Sequence, residues 1–453
     1  MLTREENELL CRVGPGTPMG ELMREYWMPV TFDWELERDG QPQRVRVLGE
    51  DLLAWRDSDG RPGISQERCP HRGAGFFFGR NEKGGLRCAY HGWKFDVDGN
   101  CMEMPNEPPN SNFKHKVKIT AYKAVDFGGM VWAYMGQDQD NPPQVPQFEF
   151  GLVPEEQRGY SHRFIYECNW MQALEGELDS THIYFLHSRL NKEDSPKYGL
   201  YHPGQTARFH IANKEYGMMY GAERDEDGNK YWRVAHFLFP IYGMFPAINR
   251  GIVPMSIFMP IDDNYTMHFG VHWHPTKPLE GSRRPNFELS DEPGVLGPTG
   301  PMKPEQKGKF YANWWAEISP ETDFHMDLWA KKNRNFTGIP SVRQQDAALE
   351  WSMGSIMDRT REHLGTADAA IIRTRRKLIA SARAFAEDGT PPPGSQNPEW
   401  YTVRSCETVL PPEDDWQKAL EPWVTAATTD YPDPCDTGRA VAAGLGGRGL
   451  SSS

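Results

Sequence analysis

Hydrophobic and polar positions change their period along this chain. Residues 1–36 hold a short helical stretch ending in Glu-Asn-Glu-Leu-Leu, then the turn-rich Val13-Gly-Pro-Gly-Thr-Pro. From about Arg44 apolar positions alternate with polar ones: Val45, Val47 and, after Gly49-Glu-Asp, Leu53 and Trp55. Asp57-Ser-Asp-Gly-Arg-Pro-Gly and Asp96-Val-Asp-Gly-Asn are turn chemistry that closes hairpins. Val117 to Ile119 and Met130 to Tyr134 supply further short strands, so residues 40–136 predict a small antiparallel β domain. Asp138-Gln-Asp-Asn-Pro-Pro-Gln-Val-Pro then reads as a linker, because polar and Pro residues build no core.

Beyond the linker the pattern predicts a helix over 168–187 and a run of strands over 207–275. Turns are expected at Asp225-Glu-Asp-Gly-Asn and Ile261-Asp-Asp-Asn, and long helical periodicity covers 340–386. The Pro- and Gly-rich stretch 276–308 reads as a surface loop or lid. Thr390-Pro-Pro-Pro-Gly and the Gly/Ser-rich end, Gly444 to Ser453, read as mobile. No internal repeat is visible. The expected fold is α+β: an N-terminal helical segment (1–39), an all-β domain (40–140) and a larger domain of antiparallel sheet and helices (141–453), with a flexible tail over 436–453.

A length of 453 residues allows two or three domains with their own cores. A net charge of −13 argues against nucleic-acid or anionic-membrane partners. No apolar run reaches the roughly 20 residues needed to span a bilayer. Acids also stand near the N-terminus where a signal peptide carries bases, so a cytoplasmic location is expected. The seven scattered cysteines then suit thiols and metal ligands better than a disulfide framework.

The strongest local chemistry is Cys69-Pro-His71, followed after sixteen residues by Cys88-Ala-Tyr-His91. Each compact loop offers one thiolate and one imidazole, the ligand set of a Rieske [2Fe–2S] cluster. Glycines at 73, 75, 79, 84, 85 and 92 let backbone come close to the inorganic sulfides. Zinc also accepts two Cys and two His, but zinc sites pair C-x2–4-C with H-x3–5-H or a second C-x2-C, not mixed loops.

A cluster that moves electrons needs somewhere to send them. The segment from Cys168 to His187 holds Asn169, Glu175, Asp179, His182 and His187. Asp179 and His182 share a helical face at i, i+3. His182 and His187 stand about 140° apart on an ideal helix, so the helix must end or distort before both can grip one ion. Two His with one carboxylate form the facial triad of non-haem Fe(II) oxygenases. Asp179 suits holding a His N–H from behind, with Glu175 and Asn169 expected in the same catalytic machinery. For the carboxylate ligand the best candidate is Asp368 at the start of a late helix, against Asp358, Asp346 and Glu362. An acid in a first helical turn is also favoured by the helix dipole with no metal present.

Cys-Pro-His-Arg-Gly-Ala (69–74), Gly-Leu-Arg-Cys-Ala-Tyr-His-Gly-Trp-Lys (85–94), Asn-Trp-Met-Gln-Ala-Leu-Glu (169–175), Asp179-x2-His182-x4-His187 and His-Leu-Gly-Thr-Ala-Asp (363–368) carry a resemblance. The chain resembles the large subunit of Rieske aromatic-ring-hydroxylating oxygenases, in the phthalate dioxygenase-like branch, over residues 1 to about 385. The resemblance implies a Rieske domain beside a helix-grip-like catalytic domain, assembled as a homotrimer or stacked homohexamer. It implies Cys69, His71, Cys88 and His91 on the cluster and His182, His187 and Asp368 on a mononuclear Fe(II). It further implies that one subunit's cluster feeds its neighbour's iron, with Asp179 bridging. A separate flavin and iron–sulfur reductase would bring electrons from NAD(P)H, with O2 as co-substrate.

An aromatic carboxylate is the expected substrate, giving a cis-dihydrodiol; the alternative is O-demethylation of a methoxylated, lignin-type aryl acid. Such an acid calls for cationic anchors. Arg208, Arg233 and Arg250 are candidates, each competing with a plain surface or ion-pair role. Phe237, Phe239, Phe245 and Phe258 could line an apolar pocket or simply fill the core.

Overall fold

The computed structural model describes residues 1–190, 206–226, 228–246, 251–281, 283–285 and 300–426. Thr3 begins α1 (Arg4–Cys11) with a reciprocal capping box to Glu6, and Thr17 with Pro18 begins α2 (Pro18–Arg24). Leu10, Cys11, Met19, Leu22 and Met23 are fully buried, and both helices pack on a long late helix. The segment 1–39 is therefore helical only at first. It continues into β1 (Trp27–Phe32), buried at every position and paired antiparallel with β10 (Met130–Tyr134).

Between these two strands the chain builds β2 (Gln43–Val47), β3 (Glu50–Arg56), β4 (Pro62–Gln66) and β9 (Ala121–Phe127), forming a six-stranded sheet in the order β1-β10-β9-β4-β3-β2. Gly49, at φ +80°, makes the tight turn from β2 to β3. The strand expected at Val117 to Ile119 begins instead at Ala121; only an isolated bridge joins Asn100 and Lys118. A second sheet of β5 (Arg80–Glu82), β6 (Gly85–Arg87), β7 (Lys94–Phe95) and β8 (Cys101–Glu103) stands on its own small core, which includes Trp55, Phe76, Leu86, Trp93, Cys69 and Cys88.

The larger part centres on an eight-stranded sheet of β11 (Arg158–Tyr166), β12 (Arg208–Lys214), β13 (Gly217–Glu226), β14 (Asn229–Leu238), β15 (Tyr242–Met244), β16 (Val253–Pro260), β17 (Thr266–Trp273) and β18 (Cys406–Leu410). It runs β11-β17-β16-β15-β14-β13-β12, and β18 adds to β14. Every pairing is antiparallel. After the short α3 (Glu149–Leu152), the helices α4 (Trp170–Leu178), α5 (Leu328–Asn333), α6 (Val342–Ser352), α7 (Ala369–Asp388) and α8 (Trp416–Val424) complete the chain. α4 lies on β15 and β16, and α7 against β12 and β13.

The helix expected over 168–187 stops at Leu178, and the periodicity over 340–386 divides into α6 and α7. Thr390 to Gly394, expected as mobile, is tied down where the Tyr26 hydroxyl donates to the Pro393 carbonyl at 2.7 Å. The expected lid lies partly, and the flexible tail wholly, outside the described residues. Among the described residues no helix is long and apolar enough to cross a membrane.

Candidate metal centres

Two loops on the four-stranded sheet repeat one hydrogen-bond pattern. Cys69 N–H donates to Ala74 O (2.8 Å) and Gly73 N–H to Cys69 O (2.9 Å); Cys88 N–H donates to Trp93 O (2.8 Å) and Gly92 N–H to Cys88 O (3.0 Å). Gly73 and Gly92 both sit at φ +75°, a conformation that favours glycine. The loops bury the two cysteines and bring the rings of His71 and His91 to 4.4 Å between centroids. His71 lies flat on Trp93, 4.5 Å away at 10°, and Trp93 Nε1–H donates to Asn106 Oδ1 at 2.7 Å.

His71 Nδ1 is buried with no hydrogen-bond partner, as suits an atom meant for a metal. Burial pushes the Cys69 thiol up to about 11, and the nearby Cys88 thiol adds to the shift; bound cations would reverse this. Two loops that each present one Cys and one His are the ligand set of a Rieske two-iron cluster. Among the described residues the only His/Cys/Asp/Glu trio with donors within 4.8 Å of one another lies elsewhere.

That trio is His182, His187 and Asp346. α4 starts where Asn169 Oδ1 accepts from Met171 N–H (3.1 Å) and ends with Asp179 in extended conformation. A short 3-10 turn (His182–Tyr184) then redirects the chain, which resolves the i, i+5 conflict. His182 Nε2 and His187 Nε2 come within 3.1 Å of each other. Asp346 Oδ1, on α6, lies 3.6 Å from the first and 3.0 Å from the second.

Groups behind each ligand fix its orientation. His187 Nδ1–H donates to Gln345 Oε1 at 2.8 Å, and Gln345 Nε2–H donates to Ile339 O at 3.0 Å. That tautomer leaves Nε2 as a lone pair facing the trio. His182 Nδ1 lies 3.7 Å from Asp179 Oδ2, while Asp179 Oδ1 accepts from Thr181 N–H and Oγ1–H. Arg343 Nη1 sits 3.7 Å from Asp346 Oδ2 and 3.1 Å from Glu177 Oε2.

Burial works to raise the Asp346 carboxyl pKa, but His187, His182 and Arg343 outweigh it and hold it below the ordinary range. Burial, helped by His187, lowers the pKa of His182. Two imidazoles and a carboxylate facing one another are the donor set of a 2-His-1-carboxylate iron site.

Several expected site residues stand elsewhere. Asp368 does not reach the histidines; its Oδ2 accepts from Gly365 N–H (2.6 Å) at the start of α7, a local turn contact. Asp358 is exposed and caps Thr360, and Glu362 pairs with Arg375. Asp346, expected only as a competitor, is the carboxylate brought to the pair. Glu175 faces away from the trio, with its carboxylate shared between Arg359 and Arg375, so it anchors α4 to α7. Burial works to raise its pKa, but the two guanidiniums prevail and hold it low. Asn169 is consumed by capping and by donating to Cys11 O and Asp263 O.

Arg208 is exposed at the head of β12, and Arg250 lies outside the described residues. Arg233 is buried in β14, opposite Ala222 of β13. Arg224 stands two residues further along β13 on the same face, with its guanidinium 5.0 Å over the Tyr184 ring. Burial raises the Tyr184 hydroxyl pKa against the pull of both arginines. Phe237, Phe239 and Phe258 are core, whereas Phe245 lies 5.1 Å under Arg343. Gln345, Arg343 and Arg224 were not read from sequence. The one available signal for the first two was Arg-Gln-Gln-Asp at the start of α6, a polar run on a helix with few exposed positions there.

A β domain built to hold a two-iron cluster beside a sheet-and-helix domain holding one iron defines a Rieske-type oxygenase. A Rieske [2Fe-2S] domain model matches residues 26–122, and a LigXa C-terminal domain-like model matches 133–294 and 304–432. The oxygenase subunit of 3-chlorobenzoate-3,4-dioxygenase from Comamonas testosteroni is 38% identical over 93% of this chain and 98% of its own length. The phthalate 4,5-dioxygenase oxygenase subunit of Pseudomonas putida is 37% identical over 92% and 94%. The solved structure of Pseudomonas putida CBB5 NdmA shares the fold, with a TM-score of 0.53 at 18% identity, over 84% of this chain and 96% of that one. This chain belongs to the Rieske non-haem iron oxygenase family, as an oxygenase subunit.

Proposed function

We propose that this oxygenase subunit inserts oxygen from O2 into an aromatic carboxylate, with iron held by His182, His187 and Asp346 and the cluster by Cys69, His71, Cys88 and His91. When bound, the iron activates O2 and the cluster delivers electrons one at a time. Three ligands on one side leave the other side of the iron site for reactants. Gln345 fixes the tautomer of His187, and Arg343 occupies the neighbourhood of Asp346 Oδ2, favouring use of Oδ1.

The observation that carries the substrate reading is the neighbourhood of this trio. Tyr184 lies in the turn between the two histidines, under Arg224 and near Arg233. Two buried guanidiniums on one sheet face suit a substrate carboxylate, and the phthalate and chlorobenzoate named for the relatives are such acids.

The test supplies purified protein and a surrogate NADH-dependent reductase with phthalate isomers, chlorobenzoates and methoxylated aryl acids. Substrate-dependent NADH use with a ring dihydrodiol is expected; formaldehyde release would assign O-demethylation instead. Arg224→Gln is expected to raise KM for the acid at least tenfold. Equal KM for an acid and its neutral amide would remove the carboxylate anchor.

The working unit in this reading is a head-to-tail trimer, alone or stacked as a hexamer, in the cytoplasm. Exposed Phe185, between the two histidines, and exposed Phe336, whose ring lies 5.9 Å from it, support it. So do exposed Tyr90 and half-buried His91 at the cluster tip, because apolar residues of this size on one surface suit a covering subunit. Asp179, part exposed beside His182, is the residue suited to meet a neighbour's cluster ligand.

A further inference from the structure

Two routes leave the cluster loops, and they differ in chemistry. One passes His91 to exposed Tyr90 at the tip, the side assigned above to a neighbouring subunit. The other leaves from His71. Its ring lies flat on Trp93, and Trp93 meets the ring of Phe113 edge-on at 6.1 Å. Phe113 is 43% exposed, although it is a large apolar ring. Three aromatic rings in van der Waals succession thus join a cluster ligand to solvent, and the Asn106 hydrogen bond holds the middle one in place.

The surface around that exit is cationic. Phe113 opens a 3-10 turn (Phe113–Lys116). Lys114 is fixed by donating to Met102 O at 3.1 Å, while His115, Lys116 and Lys118 are exposed. Arg72, next to His71 in sequence, is not part of this surface: its guanidinium lies 5.5 Å over the Tyr90 ring, on the other route. Residues 108–120 contain no acid, in a chain whose net charge is −13. A cationic island with an apolar centre, on an otherwise acidic protein, repels little of an acidic partner and steers it to this spot.

We propose that the Phe113–Lys118 surface is the electron-entry dock, and that its partner is an acidic protein carrying a plant-type [2Fe–2S] cluster. One electron leaves the partner's reduced cluster and reduces the Rieske cluster through Phe113, Trp93 and His71; no bond forms or breaks and no proton moves. The transfer runs downhill, since all-cysteine clusters of that type lie below Rieske clusters in potential. Input and output then use different histidines, so a docked donor and a neighbouring subunit do not compete.

This inference rests on the Rieske reading, and the experiment separates the two. Full-length protein with both iron centres loaded is mixed anaerobically with a reduced plant-type ferredoxin, and cluster reduction is followed by absorbance. In K116E/K118E the second-order rate is expected to fall at least tenfold at low salt and to rejoin wild type near 1 M, where screening is complete within about 3 Å. Titration with oxidised ferredoxin should show affinity weakened to a similar degree, and K116Q/K118Q should fall between. Phe113→Ala should slow reduction severalfold, and Phe113→Tyr should restore it. Reduction by dithionite and the reduced-cluster EPR signal should match wild type in every variant.

A less than twofold loss in K116E/K118E at low salt overturns the dock. So does an equal slowing with dithionite, or a change in oligomeric state by light scattering, which would make this face a contact between copies. Absence of a Rieske EPR signal in wild-type protein would remove the underlying reading along with it.

Discussion

At the scale of single residues, four carboxylates competed for the mononuclear iron, and position in the fold separates Asp346 from the favoured Asp368. Asp368 is spent on Gly365 at the head of α7, whereas Asp346 projects from α6 to 3.0 Å from His187. Asp346→Ala is therefore expected to lower iron from about three to about two per chain while the cluster spectrum persists. Asp368→Ala should keep all of it. Elemental analysis with EPR checks both, and iron loss in Asp368→Ala alone would reverse the assignment. Gln345 acts one step back, through the His187 tautomer. Gln345→Leu should weaken iron binding by roughly 10–100-fold, the range for lost partners behind metal ligands, read as iron released to a chelator. Glu175 tests the opposite role. Leaving Arg359 and Arg375 with a neutral partner in Glu175→Gln should cost about 3–5 kcal/mol of stability, the range for breaking a buried pair, seen as a lower urea midpoint with the cluster spectrum unchanged.

At the scale of elements, what could be read from the sequence depended on how local the determinants are. The cluster loops were legible because each needs only its own Cys, His and Gly within a few residues. The break after α4 was legible too, because two histidines at i, i+5 cannot share one ion on an intact helix. β1 was not: it is buried at every position, so the alternation that marks a half-exposed strand is missing. Asp346 stayed one of four candidates because only tertiary packing brings α6 against the end of α4. Strand interiors also carry a titration the pattern hides. Burial pushes His236 in β14 and His272 in β17 down to about 4, and holds His162 and His268 well below their ordinary range. His236 fits a neutral ring, donating from Nε2 to Arg404 O and accepting the Tyr216 hydroxyl at Nδ1, both at 2.8 Å. An unfolded chain protonates these rings near 6.5, and the folded one holds His236 and His272 unprotonated until about 4. The unfolded state thus holds more protons in that window, so their contribution to stability is complete above pH 6.5 and drains away as pH falls toward 4. Urea midpoints should drop steadily between pH 7 and 5, by up to about 1.4 kcal/mol per pH unit for each such ring. A flat profile would mean that water reaches them.

At the scale of the whole molecule, the question is which cluster serves which iron. One chain contains ligands for both centres, yet the groups flanking them, Tyr90 and His91 at one and Asp179 and Phe185 at the other, all retain exposed surface. Residues meant for each other within one chain would be expected to bury each other on folding. Two crippled chains can test this. One carries Cys69→Ser and should lack the cluster; the other carries Asp346→Ala and should lack the mononuclear iron. Neither homo-oligomer should turn over. Co-expressed and purified together through different tags, they form mixed oligomers in which an intact cluster can sit beside an intact iron only across a subunit boundary. Transfer between subunits predicts that activity returns to a substantial fraction of wild type in the mixed fraction. Transfer within a subunit predicts none at any ratio, because no chain then holds both working centres. Adding Asp179→Asn to the Cys69→Ser chain, whose iron must receive the electron, should abolish the recovered activity. The same change in the Asp346→Ala chain should leave it intact, since that chain only donates. An equal effect in both chains would mean that Asp179 supports the fold and carries no electron.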